Sequence, residues 1–187
     1  VFAFNRVRFA VQPSCILVMA AMVIYSPLVG EDGSAENEEV LLSGTRQLTF
    51  EGRRAGEGYF SSDGSKMVFH REREEGNPFY QIYLMDLELG DIERVSPVMG
   101  KTTCAWIHPD GKRVLFASTH EDAQSEALQR AEFEERESGK ARKYSWDYDE
   151  HYELYAFDSE SGEYTNLTNT KGYDAEGAYS PHGSMIV

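Results

Sequence analysis

An internal repeat constrains the fold of this 187-residue chain more strongly than any other feature. Three segments share a tight glycine-containing turn followed by an apolar run: Tyr59–Phe69, Trp106–Phe116 and Ala178–Val187. The turn glycine follows Asp in the first two copies and His in the third, and these positions lie 47 and then 72 residues apart. Spacing of this kind predicts stacked copies of one supersecondary unit.

Two further anchors give the same spacing. The segment Gln81–Gly90 aligns with Glu153–Gly162, which lies 72 residues later. A Leu-Thr or Val-Ser pair begins at Leu48, Val95 and Leu167, again 47 and 72 residues apart. Because the three anchors agree, the basic unit has 47 residues, and the second unit carries 25 extra residues somewhere after Phe116.

Each unit has the pattern of four short strands. The apolar runs Met67–Phe69 and Val114–Phe116 follow Asp-Gly pairs, which favour two-residue hairpin loops. The continuous apolar runs Ile82–Met85 and Leu154–Phe157 predict strands that are covered on both faces. We expect antiparallel strands within residues 57–70, 81–96, 104–117 and 153–168, and a leading strand at residues 45–49 outside the two sheets.

Four strands per unit of roughly 40–50 residues are typical of a β-propeller blade. The expected fold class is therefore all-β, a β-propeller of four-stranded antiparallel blades. The chain holds two complete blades and the start of a third, and a partly helical insertion interrupts the second blade. Because a closed ring needs about four blades or more, we expect the chain to be the N-terminal part of a longer protein or a truncated gene product.

The repeat resembles the TolB-type, WD-like propeller repeat of exported bacterial proteins. The resemblance rests on three motifs: His-Pro-Asp110-Gly-Lys with its apolar-apolar-Phe run, Ile-Tyr-apolar-apolar-Asp ending at Asp86, and Leu-Thr at Leu167. It covers residues 45–187 apart from the insertion. The family implies a six-bladed ring that serves as a protein-interaction or ligand-binding platform in the cell envelope.

The residues before the repeat have the order of an export signal and a linker. Arg6 and Arg8 precede the apolar run Ile16–Ile24, and small or helix-breaking residues follow it. We predict a signal peptide over residues 1–30, with an uncleaved membrane anchor as the alternative. Residues 31–44 form an acidic linker, and residues 45–187 form the partial propeller. The predicted location is periplasmic or secreted.

The insertion, residues 121–150, is the one segment that does not repeat. Asp122 is predicted to cap a helix over residues 123–138, and Gly139 is predicted to end it. An acidic and aromatic run, Tyr144–Tyr152, follows the helix. Two interpretations stay open: a recognition surface, or a helical excursion whose aromatic residues pack back on the blade.

Composition excludes several function classes. The chain has 32 acidic against 18 basic residues and a net charge of −14, which disfavours binding to nucleic acid and to anionic membrane surfaces. We therefore expect no membrane contact beyond the N-terminal segment. No catalytic, nucleotide-binding or zinc-binding motif occurs, so the chain is predicted not to be an enzyme and to have no catalytic residue, cofactor or metal site.

A few individual side chains have the chemistry of a reactive or cation-binding group. Cys104 is predicted to be a buried, inert thiol. His120 with Asp122, and Asp147 with His151, have cation-ligating side chains, and their predicted role is structural. The turn and strand histidines are assigned to packing: His70, His108 and His182.

Two functions fit these observations. The first is an interaction propeller of the bacterial cell envelope that binds a protein or peptide partner. The alternative is the accessory propeller of a secreted zinc aminopeptidase or serine peptidase, whose catalytic domain would lie beyond residue 187. Further repeats ending in a stop codon favour the first function, and a downstream catalytic motif favours the second.

Overall fold

Each of the two complete repeat units folds as one four-stranded antiparallel sheet, with its strands in sequence order. The computed structural model describes residues 43–187 except 142 and 144–146, and Gln47–Val187 forms one compact unit. The predicted signal segment and most of the acidic linker lie outside the described residues. The first sheet consists of β1 (Arg54–Phe60), β2 (Lys66–Glu72), β3 (Gln81–Asp86) and β4 (Ile92–Arg94). The second consists of β5 (Thr102–Ile107), β6 (Arg113–Ser118), β7 (Glu153–Asp158) and β8 (Tyr164–Asn166), with the helix α1 (Ser125–Glu137) between β6 and β7.

The strand registers confirm the alignment of the two repeats. Phe69 of β2 pairs with Tyr83 of β3, and the equivalent Phe116 of β6 pairs with Tyr155 of β7. In the third copy, Ala178 and Val187 exchange two backbone hydrogen bonds of 3.0 Å each. All three copies therefore begin with the same antiparallel pairing.

The main core lies between the two sheets. It joins side chains of the first sheet to side chains of the second: Val68, Ile82 and Val95 on one side, and Ala105, Ile107, Val114, Phe116, Tyr155 and Phe157 on the other. The opposite face of the first sheet carries a smaller cluster of Met67, Phe69, Tyr83 and Met85. Because alternate residues of β3 enter the two clusters, the prediction that this strand is covered on both faces is confirmed.

The turn prediction was wrong in its loop length. The Ser61 amide donates to Lys66 O at 2.8 Å, so four residues separate the paired positions and the Asp-Gly pair lies inside that longer loop. Asp63 Oδ1 accepts hydrogen bonds from Ser61 Oγ at 2.6 Å and from the Ser65 amide at 3.0 Å. These bonds lower the pKa of Asp63 to about 2 and organise the loop, while Gly64 takes a left-handed φ of 74°.

Two smaller predictions were also wrong. Residues 45–49 form no strand, since none of the described strands pairs with them. The helix begins at Ser125 after Gln124, and its N-cap makes no side-chain hydrogen bond. Asp122 Oδ1 instead accepts from the Gln124 amide at 2.9 Å, which forms a turn ahead of the helix. Gly139, with a φ of 65°, follows the helix end as predicted. Among the described residues, no helix is both long enough and apolar enough to span a lipid bilayer.

Candidate binding cleft

A cleft of about 660 Å³ lies between α1 and the first strands of the two sheets. The helix forms one wall and is held to the first sheet by Arg136. Arg136 Nη1 donates to Glu72 Oε1 at 2.6 Å, and Arg136 Nη2 donates to Pro78 O at 2.8 Å. Burial alone would lower the pKa of Arg136, but its bonds to Glu72 and Glu132 outweigh that effect and raise it. The insertion, which belongs to the second repeat unit, is therefore anchored on the first unit.

Other polar side chains of α1 complete this anchoring. Gln129 is buried, and its Nε2 donates to Gly76 O at 3.0 Å while its Oε1 accepts from the Gly100 amide at 2.8 Å. Ser125 Oγ donates to Thr119 O at 2.7 Å. The side chains that attach α1 to the rest of the fold are therefore polar, and the apolar side chains of Leu128 and Ala131 line the cleft.

The opposite wall carries a repeated backbone irregularity. The β1–β2 pairing shifts register between Gly56 and Tyr59, and the β5–β6 pairing shifts at the equivalent place. Three residues at one repeat position have left-handed φ values: Glu57 at 45°, Cys104 at 50° and Glu176 at 65°. Bulges of this type redirect side chains, and here all three line the cleft.

His70 extends the wall next to Glu57. Its ring stacks on Tyr80 with centroids 4.0 Å apart, and its Nδ1 is buried without a hydrogen-bond partner among the described residues. Glu57 Oε2 lies 3.6 Å from that nitrogen, which is beyond hydrogen-bond distance. Burial lowers the pKa of His70, although Glu57 opposes this effect, so the ring is neutral at physiological pH.

Ion pairs between the insertion and Lys101 close another side of the cleft. Lys101 Nζ lies 2.8 Å from Asp147 Oδ1 and 3.1 Å from Asp149 Oδ2. The same ammonium lies 5.5 Å from the centre of the Phe79 ring. Tyr152 lines the same cleft and is buried, and burial is the largest cause of its raised pKa. The described part of the acidic and aromatic run thus packs back on the fold and also lines the cleft.

A second cavity of about 300 Å³ is formed at the bulges. It shares Glu57, Cys104 and Glu176 with the larger cleft and adds the rings of Tyr59 and Trp106. These rings lie 4.7 Å apart between centroids. Cys104 Sγ donates to Glu57 Oε2 at 3.6 Å, and burial, with the charges of Glu57 and Glu176, raises the pKa of the thiol to about 11. The cysteine is therefore a weak nucleophile at neutral pH.

The other candidate residues of the sequence, among them His108, Asp122 and His151, lie outside these cavities. His151 Nδ1 is 3.9 Å from Asp122 Oδ2 and 3.2 Å from Asp149 Oδ1, so the fold brings the two ends of the insertion together. No group of three or more potential metal ligands occurs among the described residues. His108 lies in the turn of the second unit, where its Nε2 is 3.1 Å from Gly183 O of the third copy.

No protein-family model matches the chain, and no curated protein matches it. Solved structures with a partial likeness include TolB from Acinetobacter baumannii (TM-score 0.47, 21% identity, 71% of this chain and 26% of that chain). A candidate TolB from Agrobacterium tumefaciens gives a TM-score of 0.48 and 20% identity, and the match covers 73% of this chain and 42% of that chain. A prolyl endopeptidase structure gives a TM-score of 0.41 and 14% identity, and the match covers 71% of this chain and 18% of that chain. This chain spans less than half the length of each of these proteins.

Proposed function

We propose that this chain is part of a TolB-like β-propeller of the bacterial cell envelope that binds a protein or peptide partner in the cleft beside α1. The observation that carries this proposal is the construction of the cleft. Its walls come from both sheets and from an insertion that interrupts the repeat, and the lining combines aromatic rings with charged groups. Such a lining suits recognition of a polypeptide better than simple structural packing.

The docked helix supports the same conclusion. A helix held only for stability would turn its apolar stripe toward the core, as amphipathic helices usually do. Here the buried residues of α1 are Ser125, Gln129 and Glu132, while Leu128 and Ala131 line the open cleft. The helix is thereby fixed in place with an apolar surface still available to a partner.

A bulky side chain in the cleft tests this function. Peptides selected from a random library on the full-length protein are titrated against two variants of α1. Ala131→Trp fills the cleft from an exposed position, whereas Ala127→Trp places the same bulk on an exposed part of the helix that does not line it. Binding reduced at least tenfold by Ala131→Trp alone supports the proposal, and equal binding to both variants contradicts it.

The second candidate is an accessory propeller of a secreted peptidase. It would use the same cleft to position substrate for a catalytic domain outside this chain. Hydrolysis of the selected peptides by the full-length protein, reduced by Ala131→Trp, supports this second function. Binding without hydrolysis supports the interaction platform.

A further inference from the structure

The smaller cavity at the bulges has a lining with one sign of charge. Its charged lining residues are Glu57 and Glu176, and the described residues place no basic side chain among them. Both glutamates are exposed, so their carboxylates are open to a ligand. The aromatic rings of Tyr59 and Trp106 form the adjacent wall. Two carboxylates beside two aromatic faces favour a cation on electrostatic grounds.

Among the described residues, these groups make few hydrogen bonds. Glu57 Oε2 accepts a long contact from Cys104 Sγ at 3.6 Å, and His70 Nδ1 lies 3.6 Å away from it. The His70 side chain is 90% buried and its ring lines the adjoining cleft, and its Nδ1 has no hydrogen-bond partner in the part of the chain that the structure describes. The carboxylate oxygens of Glu57 and Glu176 accept hydrogen bonds and cannot donate them, so the cavity favours a ligand that donates several hydrogen bonds at once.

Among biological cations, the guanidinium group fits these demands best. It is planar, so it stacks on aromatic rings, and its fork of five N–H donors suits carboxylate oxygens. An ammonium group offers three donors on a compact centre and does not stack. We propose that the subsite formed by Glu57, Glu176, Tyr59 and Trp106 binds an arginine side chain of the partner polypeptide. This inference rests on the proposed function, because it names the chemistry of the bound polypeptide.

The repeat itself explains how such a subsite arises. Glu57, Cys104 and Glu176 occupy one repeat position, and Tyr59 and Trp106 occupy the position two residues later. The shared bulge and left-handed φ bring residues of three successive units to one cavity. Strained backbone at equivalent positions of a repeat is costly and is retained where it aims side chains at a ligand.

The test uses the full-length protein with Trp146→Phe, so that Trp106 is the remaining tryptophan of this chain and reports on the cavity by fluorescence. The probes are three peptides with blocked ends, Gly-Ser-X-Ser-Gly, in which X is arginine, citrulline or lysine. Citrulline keeps the shape of arginine without its charge. We expect a saturable change in Trp106 fluorescence with the arginine peptide, at least tenfold weaker binding of the citrulline peptide, and intermediate binding of the lysine peptide.

Two glutamate variants complete the experiment. Glu176→Gln is expected to weaken binding of the arginine peptide about tenfold and to leave binding of the citrulline peptide unchanged. Glu88→Gln removes the same charge from an exposed position outside the cavity, and is expected to have no effect. Equal binding of arginine and citrulline peptides, insensitivity to Glu176→Gln, or the absence of any saturable response would each overturn the proposal. If library-selected peptides still require an open cleft at Ala131 but show no arginine preference, this inference fails while the proposed function stands.

Discussion

The hydroxyl of Tyr155 donates a hydrogen bond to Glu121 Oε2 at 2.9 Å, joining the core of the second sheet to the start of the insertion. The first sheet has the equivalent bond, from Tyr83 to Glu74 at 2.7 Å. Both tyrosines are 2% exposed, so the expectation that they are buried at one repeat position is confirmed. Each ring thus packs in the apolar core, while its hydroxyl holds the loop that follows β2 in the first sheet or β6 in the second.

Removing the Tyr155 ring is expected to destabilise the protein strongly. Tyr155→Ala should cost about 3–5 kcal/mol of unfolding free energy, because a large buried aromatic leaves a cavity. Tyr155→Phe keeps the ring and loses the bond to Glu121, at a cost of about 1 kcal/mol. Chemical denaturation measures both, with the exposed Leu89→Ala as control. Similar midpoints for the alanine variants at 155 and 89 would show that the core is misassigned.

Arg136 is expected to hold α1 in place. Arg136→Ala removes its bonds to Glu72 and Pro78 and leaves the largely buried Glu72 with fewer partners, at a cost of about 2 kcal/mol. Hydrogen–deuterium exchange of Ser125–Glu137 should then accelerate. The matched control is Arg130→Ala, which loses only an exposed pair with Glu126 on the same helix. Equal protection of the helix in the two variants would contradict the anchoring role.

Asp110 gives the turn of the second unit a defined pH dependence. Burial alone would raise the pKa of Asp110, but bonds from the Lys112 amide, Arg113 and His108 outweigh it and hold the pKa well below the ordinary 3.8. A depressed carboxyl pKa stabilises the fold above the unfolded value, and this stabilisation is lost as the pH falls through the folded value. Asp110→Asn should therefore be less stable than wild type at pH 6, and the difference should shrink below pH 3.8. A difference that stays constant from pH 6 to pH 2.5, measured by urea denaturation, would contradict this.

Cys104 is expected to react slowly with iodoacetamide. A pKa raised from 9.0 to about 11 leaves roughly a hundredfold less thiolate at neutral pH, because each unit is a factor of ten. Mass spectrometry of the peptide that contains Cys104 should show alkylation at least tenfold slower than for the unfolded protein. Glu57→Gln should raise the rate, because one of the charges that oppose ionisation is lost. A rate equal to that of the unfolded chain would show that the thiol is neither shielded nor held protonated.

The N-terminal residues are expected to direct export. Residues 1–44 fused to alkaline phosphatase, which is active only after export, should give enzyme activity in a bacterial host. Replacing two residues of the apolar run, Leu17→Arg and Val23→Arg, should abolish that activity, because charges interrupt the hydrophobic region of a signal. Activity that survives both substitutions would assign export to another segment.

The sheets were predictable because their signals are local and repeated. Asp63 and Asp110 mark equivalent turns, so the pairing of Phe69 with Tyr83 and of Phe116 with Tyr155 follows from one alignment. The loop length was not predictable from Asp-Gly alone. It depends on hydrogen bonds from Ser61 and Ser65 to the Asp63 carboxylate, and such bonds compete with the tighter turn.

The cleft was harder to predict from the sequence than the sheets. Gln129 and Arg136 are polar, so hydrophobic periodicity gives no sign that they dock α1 on the first sheet. Glu57 and Glu176 lie two residues before the aligned segments that begin at Tyr59 and Ala178, and the role of this position depends on the left-handed backbone at both glutamates. An acidic residue in a strand-like segment ordinarily indicates a solvent-exposed face.

The docking of α1 on the first sheet also bears on the order of folding during synthesis. The first sheet is complete at Arg94, before the helix leaves the ribosome, whereas β7 follows the helix and must still find β6. We expect Gln129 and Arg136 to fasten the nascent chain to the first sheet during this interval. Docking of the helix would then shorten the loop that must close when β7 pairs with β6.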